Sequence, residues 1–154
     1  MLARRSTTAL LLGAAIVAGC SDPADDRWYT EEQVRIGEAV FEAECAVCHG
    51  DRAQGAENWR QRDDDGYFPP PPLNGTAHAW HHPKDELRMF IRDGFNRMPG
   101  FGDRLDDDEI DAAIAWFQSH WSDAVYDAWL DYDERGESGH DAGADTQRGN
   151  PGVE

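Results

Sequence analysis

Apolar residues recur at helical intervals in three stretches of the chain and alternate strand-fashion in none. The first stretch puts Val34, Gly37, Val40, Phe41 and Cys45 on one face. Thr30 with Gln33 forms a capping box ahead of it, and Glu31 and Glu32 suit the positive end of the helix dipole. The second stretch spans residues 83–93, with Pro83 at the favoured first helical position and Gly94 as the stop. Leu87, Phe90 and Ile91 form its apolar side, with Met89 beside them. In the third, Asp106 caps and Glu109 completes the box before Ile110, Ala113, Ile114, Trp116 and Phe117. A further short helix is expected over residues 123–130.

Between the first two helices, residues 50–75 read as loop, with an Asp-rich turn at 63–66 and an extended polyproline run at 69–72. From 133 to 154 the chain is polar and nearly free of apolar residues, which predicts disorder. The fold class is therefore all-α, with three to four helices. Its tryptophans are too many for so small an apolar core, and something flat and apolar is expected to fill the interior.

The N-terminus changes the picture. Arg4 and Arg5 precede an apolar stretch too short to span a bilayer, which takes roughly 20 residues. Val17-Ala18-Gly19-Cys20 then resembles the lipobox of bacterial lipoproteins, which implies cleavage before Cys20 and acylation of its thiol. The expected organisation is a signal peptide at 1–19, a lipidated tether at 20–29, a folded domain at 30–132 and an acidic tail at 133–154. Without acylation the chain would be soluble in the same exported compartment.

Formal net charge is −17, and −19 once Arg4 and Arg5 leave with the signal. Such a surface repels nucleic acid and suits either a basic partner or plain solubility. A monomer is expected.

The chemistry centres on Cys45-Ala46-Val47-Cys48-His49, the C-x-x-C-H pattern of c-type haem attachment. Two thiols about one turn apart can each add to a haem vinyl group, leaving the histidine under the iron. Structural zinc wants four ligands, and no further cysteine remains once Cys20 is assigned to lipid. A thioredoxin-like redox pair expects a βαβ setting that this helical chain lacks. For a second axial ligand, Met89 sits within a helix, where methionine usually fills core. Met98 lies in a glycine-flanked loop followed by Pro99, free to present its sulfur.

The capped helix ending in Cys45-x-x-Cys48-His49, the Pro71-Pro72-Leu73-Asn74-Gly75 stretch, Met98-Pro99 and the helix bearing Trp116 together resemble the class I cytochrome c family over residues 30–121. The resemblance implies one covalent haem c held by Cys45 and Cys48, with His49 and Met98 as axial ligands. It implies that the Pro71 carbonyl fixes the His49 ring, and that Gly37 and Phe41 meet Trp116 where two helices cross.

Two features depart from the plainest members. Residues 58–67 look like an insertion, and Arg60, Arg62 or Arg97 could meet haem propionates or lie on the surface. His78, His81 and His82 form a cluster that could bind copper, although Pro83 disfavours a facing His78/His82 pair.

The function expected is a monohaem c-type cytochrome, not an enzyme. It would pass single electrons between redox-partner proteins, a membrane-bound oxidase or reductase among them, at the periplasmic face of an inner or outer membrane. Two alternatives stand beside it. One is a peroxidase-type haem enzyme with an open axial site. The other is a copper-handling or assembly protein using His78, His81 and His82.

Overall fold

Two capping boxes set the first and fourth helices of the computed structural model, which describes residues 27–140. In the first, the Thr30 side chain accepts from the Gln33 N–H while the Gln33 side chain reaches back to the Thr30 N–H, and α1 runs Glu31–Val40. In the second, Asp106 and Glu109 make the same exchange, and α4 runs Asp107–Ser119. Each box satisfies two backbone donors that a helix start otherwise leaves unpaired. The signal at 1–19, Cys20, the tether up to residue 26 and the tail from 141 lie outside the described residues.

α1 does not simply continue to the cysteines. A π-turn at Phe41–Cys45 inserts a wider turn before a last helical turn, α2, at Ala46–His49. The Ala46 N–H bonds the carbonyl of Phe41, five residues back. Such bulges shift the side chains that follow by part of a turn. Phe41 and Cys45, at the two ends of the bulge, are both buried. Gly50, with φ +77, ends the helix.

α1 crosses α4 at Gly37. A Cβ there would lie 1.8 Å from the Ala112 carbonyl oxygen and 2.9 Å from Trp116 Cβ, so only glycine allows this approach. Beside it, Phe41 packs on Trp116 with ring centroids 4.2 Å apart. α4 is the central element, buried continuously from Ala112 to Gln118. The expected meeting of Gly37, Phe41 and Trp116 is present.

α3 spans Lys84–Asp93, so Pro83 is the residue before the helix rather than its first. Leu87 and Ile91 are buried, Phe90 is half-buried and Met89 is exposed. Pro83 has no capping side chain. The Lys84 N–H is instead met by the Asp133 carboxylate at 2.6 Å, supplied by α5.

That contact accompanies the largest correction to the expected boundaries. α5 runs Asp123–His140, well past 130 and into the stretch from 133 read as disordered. Tyr126 and Trp129 bury its inner face, and the Trp129 indole donates to the His82 carbonyl at 3.0 Å. The tether reading is corrected at its end too. The Trp28 indole donates to Gln118 at 2.7 Å, its N–H donates to the Tyr126 hydroxyl at 2.9 Å, and Arg27 pairs with Asp123. Residues 27–29 therefore belong to the folded domain.

Among the described residues there is no strand, only an isolated bridge between Phe95 and Met98. None of their helices is long and apolar enough to cross a membrane.

Candidate haem site

The helical run from α1 through α2 carries Cys45, Cys48 and His49. Cys45 is buried, Cys48 is exposed, and neither is in a disulfide. Burial, aided by the neighbouring Glu44 carboxylate and by Cys48, pushes the Cys45 thiol up to about 11.

His49 is 8% exposed. Its Nδ1 donates to the Pro71 carbonyl at 2.9 Å. Burial lowers its basicity, and the hydrogen bond to Pro71 opposes that only partly. The ring is thus neutral, with Nδ1–H committed to Pro71 and the Nε2 lone pair left to bind a metal. Its own carbonyl is fixed as well, accepting from the Gly55 N–H at 2.7 Å.

The polyproline run suits this role because its residues bring carbonyls without competing N–H donors. Pro70 accepts from the Ala56 N–H at 2.9 Å, which leaves the next carbonyl, that of Pro71, to His49. Leu73 then donates to the Ala53 carbonyl at 2.8 Å and accepts from the Trp121 indole at 2.7 Å. Gly55, at φ +68, lies so close that a Cβ would stand 2.4 Å from Pro72 N. The acceptor that orients His49 is therefore held from several sides, by residues that local pattern does not flag.

Met98 lies outside any helix, as its loop position predicts. Phe95 and Met98 exchange both backbone hydrogen bonds, at 3.0 and 2.9 Å, around a tight turn with Asn96 at φ +52. Asparagine tolerates that left-handed conformation better than most residues. The chain then folds back on α3, where Phe101 and Gly102 donate to the Ile91 and Arg92 carbonyls at 2.9 and 3.0 Å. Gly94 and Gly100 leave room for this return. Met98 is half-buried and packs on the same apolar cluster as Cys45 and Leu73, whereas Met89 is 46% exposed.

Two free thiols, a neutral imidazole oriented by a carbonyl, and a thioether presented by a rigid turn fit a covalently attached haem.

The three arginines considered for propionates all have protein partners. Arg60 lies over Trp59, Arg62 over Phe68, and Arg97 pairs with Asp63 and Asp65. The histidine cluster departs from expectation in one respect. His82 is extended, as a residue before proline should be, yet its ring still meets His78 with centroids 5.6 Å apart. His78 also stacks on Trp59, His82 bonds Glu86 at 2.9 Å, and His81 lies against Trp80. Among the described residues no three metal-ligating side chains converge.

Residues 32–117 match the model of a family described as cytochrome C oxidase, cbb3-type, subunit III. Cytochrome c6 of Bryopsis maxima is 31% identical over 85 residues, which cover 54% of this chain and 86% of that protein. No solved structure matches.

Proposed function

Because the chain belongs to the family of c-type cytochromes described as cytochrome C oxidase, cbb3-type, subunit III, we propose that its electron-transfer role is exercised at the periplasmic surface of a membrane, where lipid on Cys20 holds it. The chain is a monohaem c-type cytochrome with a covalent haem.

The haem supplies a one-electron iron couple. Cys45 and Cys48 would hold it through thioether bonds, and His49 Nε2 and the Met98 sulfur would ligate its iron. The Pro71 carbonyl fixes the His49 ring and raises its strength as a ligand. With both ligands supplied by the protein, the iron would offer peroxide and dioxygen no open site, and a His/Met pair would set a relatively high potential. The 2.9 Å bond from His49 Nδ1 to Pro71 carries this reading, because it leaves Nε2 as the ring's ligating atom.

Electrons pass to and from other redox proteins, a membrane-bound oxidase or reductase among them, through brief contacts below roughly 1,200 Å². The acidic surface favours partners with a basic docking face.

An optical spectrum of the ferric holoprotein tests the coordination. A methionine-to-iron charge-transfer band, lost in Met98→Ala, is expected. A high-spin resting spectrum would refute it and favour a peroxidase-type site. The anchor is tested by labelled palmitate, which wild-type protein should incorporate and Cys20→Ala should not. An unlabelled wild type would overturn the anchor alone.

A further inference from the structure

The insertion before the prolines has a structure of its own. Its base closes where Ala56 N–H meets the Pro70 carbonyl at 2.9 Å, one residue before the carbonyl that orients His49. Its tip is a turn organised by Asp63. One carboxylate oxygen, Oδ1, accepts from the Asp65 and Tyr67 N–H groups at 3.1 and 2.9 Å, and the Asp63 N–H bonds the Tyr67 carbonyl at 2.8 Å.

The other oxygen, Oδ2, faces out of the turn and meets Arg97 Nη1 at 2.9 Å. Arg97 Nη2 bonds Asp65, and the guanidinium lies over the Tyr67 ring, 4.7 Å from its centroid. Arg97 is one of the two central residues of the Phe95–Met98 turn. The loop therefore starts beside the partner of His49 and ends by gripping the residue next to Met98. At its other side Trp59 stacks on His78, which steadies the span.

This geometry is preorganised in a way an ordinary surface ion pair is not. Asp63 is already fixed by two backbone donors, so its side chain loses little entropy on meeting Arg97. The planar guanidinium engages two carboxylates and a ring at once, which a lysine could not reproduce.

We propose that Arg97, gripped by Asp63 and Asp65, clamps the insertion across the Met98 turn and so keeps that turn closed against foreign ligands of the iron. The proposal rests on the reading of Met98 as axial ligand. Arg97 acts here as a positioning residue, through Met98. A foreign ligand enters when the Met98 turn opens, so its apparent affinity scales with the open fraction.

Imidazole added to the ferric holoprotein is the probe. The double variant Asp63→Asn/Asp65→Asn keeps Oδ1 of residue 63 for its turn and removes only the charges facing Arg97. It should bind imidazole about three- to tenfold more tightly than wild type, the range expected for two partly exposed ion pairs. Arg97→Lys should fall between the two. Raising salt to about 1 M should tighten binding in wild type and leave the double variant little changed.

A double variant with wild-type imidazole affinity, its charge-transfer band still lost in Met98→Ala, overturns the clamp and leaves the ligand assignment standing. Absence of a Met98-dependent band overturns the assignment, and the clamp with it.

Discussion

Substituting Gly37 by alanine tests the helix crossing that supports the site. On an exposed helix face this change stabilises by roughly 1 kcal/mol, because alanine is the better helix former. At this position the new Cβ would sit 1.8 Å from the Ala112 carbonyl oxygen and 2.4 Å from its carbon. Comfortable contact needs roughly 3.5 Å, and the obstacle is backbone within the most buried helix of the fold. α1 must then retreat by more than about 1 Å. A gap of that order forfeits a quarter to a half of the dispersion energy of each pair it opens, beginning with Phe41 on Trp116.

Overpacking of this kind typically costs about 1–3 kcal/mol, occasionally more. The backbone obstacle puts this change at the upper end of that range, so after the propensity gain the variant should lose about 2 kcal/mol, or roughly 8 °C in Tm for a domain of this size. Urea unfolding of the holoprotein, followed by tryptophan fluorescence, measures this. Glu38→Ala at the exposed neighbouring position should stay within about 0.5 kcal/mol of wild type. A Gly37→Ala protein as stable as wild type, or more so, would show that the close approach does not govern the crossing.

Two further predictions concern α5 and α3. Burial raises the Tyr126 hydroxyl above the usual tyrosine range, against the lowering effect of its bond from the Trp28 N–H and of Arg27. Its contribution to stability is full below pH 10 and is lost as pH rises through the raised folded value, since the unfolded chain ionises first. Tyr126→Phe, which leaves the Trp28 N–H unpaired, should therefore cost about 1 kcal/mol at neutral pH. Its unfolding curve should converge with that of wild type above pH 10, and parallel curves across that range would refute the assignment. In the second, Arg88 Nε meets Asp111 Oδ1 at 2.5 Å while Nη2 meets Oδ2, a two-pronged pair on side chains 31% and 17% exposed. Asp111→Asn should cost about 1–2 kcal/mol in urea unfolding, whereas Arg35→Gln, which breaks only an exposed pair with Glu32, should cost less than about 0.5. Equal losses would mean that burial adds nothing to the Arg88 pair.

The parts of this protein that the sequence determined by itself are those whose chemistry is local. Thr30 with Gln33 and Asp106 with Glu109 place two helix starts, because a capping box needs only residues three apart. Gly94 marks the end of α3, and Cys45, Cys48 and His49 identify the attachment chemistry by spacing alone. The Pro71 carbonyl was legible only through family resemblance, and the structure places it on His49 as that resemblance implies.

Tertiary structure decided what depends on partners far along the chain. Residues 131–135 are polar, and nothing near them says that Asp133 caps a helix 49 residues earlier. Trp28 reads as part of a tether until Gln118 and Tyr126 are both seen to accept from it in space. The π-turn at Phe41–Cys45 has no local signature, yet it leaves both Phe41 and Cys45 buried. Arg97, Asp63 and Asp65 look like three more charges in an acidic chain. Only the fold brings them together, because pairing at such separation is fixed by the packing of the whole core and not by the neighbours of any one residue.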